Sequence, residues 1–239
     1  MPSKTRIDRA GAALRQWWIR QSEDPSGLDG AELDRLQSDL DVVWEYRAQF
    51  QDPLTRVTAN LRYYVAEESS EVIIAQRLKR LPQIINKLAR YPTQRLTQMQ
   101  DIGGCRAILP GGLPEIRAVQ RRLERRWSII DSDDYISGPK ATGYRALHLI
   151  ERRSGMAIEV QLRTPAQHQW AEDVERAELR TRYPLKDGKG PKVLQRYYAL
   201  TAEIGEAREL GQEPEAAMVT EAQELRAEVE FLLASDPPQ

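Results

Sequence analysis

The side chains able to do chemistry in this chain cluster where strands end and loops begin. Asp101 closes QMQD, just ahead of the pair Gly103-Gly104 and the apolar stretch CRAIL. A carboxylate there can ligate a hard cation such as Mg²⁺, and two glycines let backbone approach a phosphate closely. An Asp before glycine is otherwise a turn residue. Glu159, Gln161 and Arg163 alternate with Ile158, Val160 and Leu162, so a strand through them carries three polar groups on one face and three apolar groups on the other. Such a polar face can also be the solvent side of a half-covered sheet. YRALHLIE at 144–151 repeats the pattern, with Tyr144, Ala146 and His148 against Arg145, Leu147 and Leu149, so two strands could line one site.

The loop DDYISGPKATGYRALH combines acidic residues, Lys140 after Pro139, Gly143, and then Tyr144, Arg145 and His148. Tyr144 offers a flat face for a nucleobase, and Lys140 and Arg145 offer charge for phosphate. Taken alone, a tyrosine beside a glycine reads as packing. Further on, His168, Glu172 and Glu175 share a helix face. With only two histidines in the chain, His148 and His168, a zinc hydrolase is not expected, and pairing of Glu172 with Arg176 is the simpler account of part of that face.

These residues need a scaffold, and the periodicity supplies one. Residues 5–22 and about 30–66 read as helices, with Leu33, Leu36, Leu40, Val43 and Trp44 at helical spacing and DPSGLDG as the break. Residues 71–90 read as another helix, which Pro82 should kink or break and Pro92 closes. From residue 103 the pattern turns to short strands at 105–109, 127–131, 144–151 and 156–163, with a helix over 114–126 and a polar hairpin link from Arg152 to Gly155. A helix over 166–182 follows Pro165, KDGKGPK is a linker, and helices over 191–211 and 214–234 precede a frayed tail, SDPPQ. No P-loop or GxGxxG fingerprint is present.

The composition, 41% apolar and 30% charged over 239 residues, is that of a globular protein. No apolar run reaches the roughly 20 residues of a membrane span, and the start MPSKTRIDRAG lacks an apolar export core. The expected location is the cytosol. Cys105 is the only cysteine, which excludes an internal disulfide and a thiolate zinc cage, and its place within CRAIL points to buried packing. The net charge of −1 hides local basic runs at Arg117, Arg121, Arg122, Arg125 and Arg126, and at Lys4, Arg6, Arg9, Arg15 and Arg20. The first run reads as a solvated helix face, while the second is left open as a polyanion contact.

Four blocks in order, RLKRLPQIINKL at 77–88, MQDIGGCRAIL at 99–109, DDYISGPKATGYRALHL at 133–149 and IEVQLRTPAQHQWAE at 158–172, resemble the synthetase domain of the RelA/SpoT family. The resemblance covers about residues 70–180 and implies an α+β fold, a mixed-sheet nucleotidyltransferase-like synthetase domain (67–183) flanked by N-terminal (1–66) and C-terminal (184–239) helices. It implies an enzyme that moves the β,γ-pyrophosphate of ATP to the 3′-hydroxyl of GDP or GTP, making (p)ppGpp-type alarmones. By resemblance Asp101 and Glu159 are the acidic pair, Asp101 holding Mg²⁺ and Glu159 helping with the metal or activating the hydroxyl. Arg77, Lys79, Lys87 and Arg106 match ATP and phosphate positions. Lys140 and the base-stacking Tyr144 match the acceptor side, with Arg145, His148, Gln161 and Arg163 around the pocket. Gln83 stands where many members carry Ser. The match is to a stand-alone small synthetase without the hydrolase and regulatory domains of long members. Similar small synthetases include toxic members with antitoxin partners that modify the 3′-CCA end of tRNA, and the opening SKTRIDRAGAALR resembles theirs. The tRNA end is therefore the alternative acceptor and a non-catalytic nucleotide-binding module the second alternative. The C-terminal apolar stripes could pack on the sheet or form a homo-oligomer contact.

Overall fold

The computed structural model describes residues 2–24, 27–67 and 71–235. Pro25 and Ser26 of the expected break, and residues 236–239 of the expected tail, lie outside the described residues. Among the described residues five strands form one sheet: β1 (Ile73–Leu78), β2 (Gly103–Ile108), β3 (Ile129–Asp134), β4 (Leu147–Arg153) and β5 (Met156–Arg163), in the order β1-β2-β5-β4-β3. β2 and β5 run parallel and the other neighbours antiparallel, so the sheet is mixed, as the sequence predicts. The helices are α1 (Lys4–Glu23), α2 (Gly30–Ala48), α3 (Gln51–Ala66), α4 (Leu81–Arg90), α5 (Gly112–Arg126), α6 (Pro165–Thr181), α7 (Lys192–Glu209) and α8 (Ala216–Ala234).

Local chemistry explains most boundaries. β4 and β5 are joined through Ser154 (φ 51°) and Gly155 (φ 81°), and two successive positive φ values make the tight turn whose twist matches the strands. α6 opens on a reciprocal cap: Thr164 Oγ1 accepts from Gln167 N at 3.1 Å, and Gln167 Oε1 accepts from Thr164 N at 3.2 Å. Two expectations need correction. Residues 71–90 are not one helix, because Ile73–Leu78 pairs antiparallel with β2 as an edge strand and the helix starts only at Leu81. Pro82 lies in the first turn of α4, where a missing N–H costs no hydrogen bond. The helix expected over 30–66 is likewise two, α2 and α3, parted at Gln49–Phe50.

One face of the sheet is the core. Cys105, Ala107, Leu147, Leu149, Ile158, Val160 and Leu162 lie beneath Leu54, Val57 and Leu61 of α3 and Ile116, Val119 and Leu123 of α5. The Cys105 thiol is pushed up to about 12, mainly by burial and slightly by Glu159, against a hydrogen bond with Thr58. The same core continues into α1, whose Gly11 lets the chain before β2 approach closely: a Cβ there would lie 2.9 Å from Leu96 Cβ. Asp8 of α1 accepts from Thr97 N at 2.9 Å and Thr97 Oγ1 at 3.0 Å. Basic residues of α1 are used in this docking. Arg15 donates to the Pro92 carbonyl, while Arg6 pairs with Asp39 at 2.6 Å and Arg20 with Glu32 at 3.0 Å. On α5, Arg117 pairs with Asp134 at 2.8 Å and Arg122 with Glu67.

The C-terminal helices pack on α6 rather than on the sheet, through Val174, Ala177, Leu194, Tyr198 and Val229. No helix among the described residues is long and apolar enough to cross a membrane.

Candidate active site

The second face of the sheet carries polar side chains in two rows fixed by strand register. One row runs Arg77, Gly104, Glu159, Ile150 and Asp131, and the next runs Ala75, Arg106, Gln161, His148 and Asp133. The alternation along β5 therefore separates the buried Ile158, Val160 and Leu162 from Glu159, Gln161 and Arg163. At Gly104 an added Cβ would lie 3.7 Å from Glu159 Oε2. Glycine thus leaves open the space beside that carboxylate.

Glu159 belongs to a closed hydrogen-bonded ring of five side chains. Gln161 Nε2 donates to Glu159 Oε2 at 2.7 Å, and Arg163 Nη2 donates both to Gln161 Oε1 at 2.7 Å and to Tyr144 Oη at 2.8 Å. Tyr144 Oη lies 2.6 Å from His148 Nε2, and His148 Nδ1 returns to Glu159 Oε1 at 3.0 Å. The inventory of donors fixes two of these directions. Arg163 can only donate, so Tyr144 Oη accepts from it, and an ionised Glu159 can only accept, so His148 Nδ1 carries the proton that faces it. Burial opposes ionisation of Glu159, and Asp101 adds to that, but His148 and Gln161 outweigh both and hold the carboxyl below the usual range. Burial raises the Tyr144 phenol, against the pull of Arg163.

Asp101 is delivered by the turn before β2. Lys79 follows β1, its N–H held by the Ile102 carbonyl at 2.7 Å, and Lys87 lies on α4. Both ammonium groups reach the same oxygen: Lys79 Nζ is 2.7 Å and Lys87 Nζ 2.8 Å from Asp101 Oδ2. Burial works against the charge of Asp101, yet the two lysines keep its carboxyl below the ordinary range. Asp101 Oδ1 is buried and makes no hydrogen bond.

The remaining predicted residues are placed unequally. Lys140 is exposed, with Nζ 4.4 Å from the Tyr135 ring centroid and 5.5 Å from that of Tyr144, distances at which a cation is drawn to an aromatic face. Arg77 is exposed on β1; burial raises the Glu175 carboxyl, but Lys186 and then the charge of Arg77 bring it below the usual range. Arg106 Nη2 lies 3.8 Å from Glu172 Oε1, which also lies 3.1 Å from His168 Nε2. Glu172 thus faces His168 and Arg106, whereas Arg176, its expected partner, pairs with Asp173. Arg145 does not join the ring. It is buried, donating to the Ala202 carbonyl at 3.1 Å and pairing with Glu206, both on α7.

Two residues of the site were not singled out from the sequence. Tyr135 lies 5.8 Å from Tyr144 and 5.3 Å from His148 between ring centroids, and Trp170 lies 6.3 Å from Tyr144. An aromatic at each end of the loop and one in the first turns of the next helix are the signals that could have marked them.

Two carboxylates, a set of lysines and arginines and a tyrosine face thus gather on one side of a mixed sheet, a set suited to binding phosphates and a flat ring. Residues 76–185 match the family model described as the region found in RelA / SpoT proteins. The chain is 29% identical over 150 residues to the GTP pyrophosphokinase YjbM of Bacillus subtilis (strain 168), covering 55% of this chain and 71% of that protein. It is 34% identical over 110 residues to the GTP pyrophosphokinase YwaC of the same organism, covering 40% of this chain and 52% of that protein. Among solved structures, the small alarmone synthetase 1 from Bacillus subtilis bound to its product pppGpp shares the fold with a TM-score of 0.56 at 22% identity, over 78% of this chain and 99% of that one. A GTP pyrophosphokinase family protein from Streptococcus pneumoniae gives a TM-score of 0.53 at 24% identity, over 81% and 98%. Over residues 76–185 the chain matches the region found in RelA / SpoT proteins, and its fold is that of the small alarmone synthetases.

Proposed function

We propose that this chain transfers the β,γ-pyrophosphate of ATP to the 3′-hydroxyl of GDP or GTP. The observation that carries this reading is the ring that ties the Glu159 carboxylate to the Tyr144 face, beside an aspartate that gathers two lysines. Similarity to the relatives named GTP pyrophosphokinase supports the same donor and acceptor.

In this reading the acceptor base stacks on Tyr144, where Lys140 adds charge for its phosphates, and its 3′-hydroxyl is oriented by Glu159. The oxygen of that hydroxyl attacks the β-phosphorus of ATP, the bond from the β-phosphorus to the oxygen bridging the α- and β-phosphates breaks, and AMP leaves. Transfer of this kind passes through a loose transition state and asks for positioning and neutralised charge more than for a strong base. A carboxylate held below the usual range fits that demand. It orients the hydroxyl through an oxygen lone pair and takes the proton as the new bond forms. Lys79 and Lys87 leave Asp101 for the phosphates of ATP, with Arg77 and Arg106 on the same sheet face.

The donor set fits Mg²⁺. Asp101 Oδ1 is a buried oxygen with no hydrogen bond, and Asp101 and Glu159 feel each other's charge. Among the described residues no group of three or more His, Cys, Asp and Glu converges to hold a metal, so these two carboxylates would be the protein's share of a shell completed by water and substrate phosphate. When bound, the ion supplies neutralisation of charge on the phosphates being transferred.

Against the tRNA end that the opening segment suggests by resemblance, three arginines of the basic N-terminus are engaged within the chain. The test is transfer from labelled ATP in the presence of Mg²⁺ to GDP, GTP or deacylated tRNA. Label on the guanine nucleotide is expected. Label only on tRNA would replace the acceptor, and no transfer to any acceptor would overturn the enzyme reading in favour of a nucleotide-binding module.

A further inference from the structure

The acceptor loop, residues 135–146, connects β3 to β4 and contains Gly138, Pro139 and Gly143. A connection of this length needs support if Tyr144 is to stay aimed. The ring described above holds only the hydroxyl of Tyr144. The backbone is tied within the loop, Lys140 N to the Tyr144 carbonyl at 3.2 Å and Gly143 N to the Lys140 carbonyl at 2.8 Å, and the two residues flanking Tyr144 are held from behind, by α7.

Gly143, at φ +89°, is seated directly on that helix: a Cβ there would lie 2.6 Å from Ala202 Cβ and 3.3 Å from both Ala199 Cα and Trp170 Cζ2. Arg145 leaves the loop on the opposite side from Tyr144 and runs, 8% exposed, to the Ala202 carbonyl and the Glu206 carboxylate. Trp170 of α6 links the two regions, with its ring 6.3 Å from Tyr144 and its Nε1 donating to the Tyr198 carbonyl of α7 at 2.8 Å. Three consecutive loop residues therefore find their partners on α7 directly or through one tryptophan. Glu206 is 36% exposed at its side chain and touches none of the ring.

We infer that α7 is the mould of the acceptor loop, and that Arg145 and Glu206 are positioning residues that set the Tyr144 face for the acceptor without touching it. This rests on the assignment of Tyr144 to the acceptor. A buried guanidinium that loses its paired carboxylate, with only the charge of Glu209 remaining nearby, either drags the loop or leaves its seat, and the cost falls on the substrate that the loop binds. ATP, handled by Lys79 just after β1, Lys87 on α4 and Asp101 in the turn before β2, is outside its reach.

The test compares Glu206→Ala with Glu206→Gln, which keeps an acceptor for Arg145. In the alanine variant the KM for the guanine nucleotide should rise by about tenfold, equivalent to about 1.4 kcal/mol of lost positioning, while the KM for ATP stays within about twofold; the glutamine variant should recover most of the loss. An acceptor KM unchanged in the folded alanine variant would overturn the inference, as would equal loss for both substrates. Amide hydrogen exchange in the substrate-free protein gives a readout independent of any acceptor. Residues 138–146 should exchange faster in Glu206→Ala and β5 should not. Unchanged protection there would refute the mould even if the wild-type chain proved to use another acceptor.

Discussion

Asp101 holds two ammonium groups on one oxygen, and that arrangement sets substrate against carboxylate. For ATP to engage Lys79 and Lys87, its phosphates must pull them from contacts of 2.7 and 2.8 Å. The side chains are 19%, 28% and 19% exposed for Lys79, Lys87 and Asp101, so each contact lies between an exposed pair and a buried charge-assisted hydrogen bond and is worth about 1 kcal/mol. Replacing Asp101 by Asn removes the competitor and should free about 2 kcal/mol, a factor of about 30 in affinity for ATP in the presence of a metal chelator. The same variant should lose transfer, because the oxygen assigned to the cation is gone. The assay is titration calorimetry of ATP into both proteins in chelator, with circular dichroism to confirm the fold. In the absence of ATP the variant should also melt earlier, with two unneutralised lysines, and recover when ATP is added. Metal-free ATP affinity that is unchanged or weaker in the folded variant would refute the competition.

Glu159→Gln should leave the chain folded by circular dichroism but lower its melting temperature by a few degrees, since the amide oxygen can accept from only one of the two donors, His148 Nδ1 and Gln161 Nε2, while its NH₂ faces the other; it should also reduce transfer by at least about a hundredfold, as loss of a positioned proton acceptor does, and persisting activity would remove Glu159 from its role. Gly143→Ala should destabilise the chain by at least about 1–2 kcal/mol, the cost of a left-handed backbone for a residue with Cβ, with more from the 2.6 Å approach to Ala202; a urea midpoint equal to wild type would show that the loop is not seated on α7. His168 offers a pH test. Burial lowers its pKa and Arg106 adds to this, against Glu172, so the unfolded chain takes up this proton first, near its ordinary value of about 6.5. Stability should therefore fall as pH drops from about 7 toward 5, and the fall should be smaller in His168→Gln. Parallel curves for the two proteins would refute the assignment.

The strands that carry the site were legible because their pattern is local: β5 alternates residue by residue, and the hairpin before it needs only Ser154 and Gly155. The edge strand was not. Ile73, Ile74, Leu78, Leu81, Ile84 and Ile85 fit a helical repeat, and only pairing with β2 makes 73–78 a strand, a tertiary choice that no window of sequence contains. The pairing of Lys79 and Lys87 on one oxygen of Asp101 depends on β1 and α4 meeting a turn 14 to 22 residues away, so the residue types were readable and their convergence was not. Arg145 shows the reverse difficulty. Its charge suggests phosphate and the sequence pattern puts it in a strand, but it lies in the loop before β4, where Glu206, 61 residues on, receives it.

The buried thiol of Cys105 has a practical consequence. At 4% exposure and with its pKa pushed up to about 12, it supplies almost no thiolate at neutral pH, so maleimide and similar reagents should pass the native chain by. A cysteine introduced at an exposed loop position such as Ser137 or Ala141 can then carry a fluorophore as the sole label. The motion of the acceptor loop becomes a signal that can be followed in solution, in a protein whose wild-type background is chemically silent.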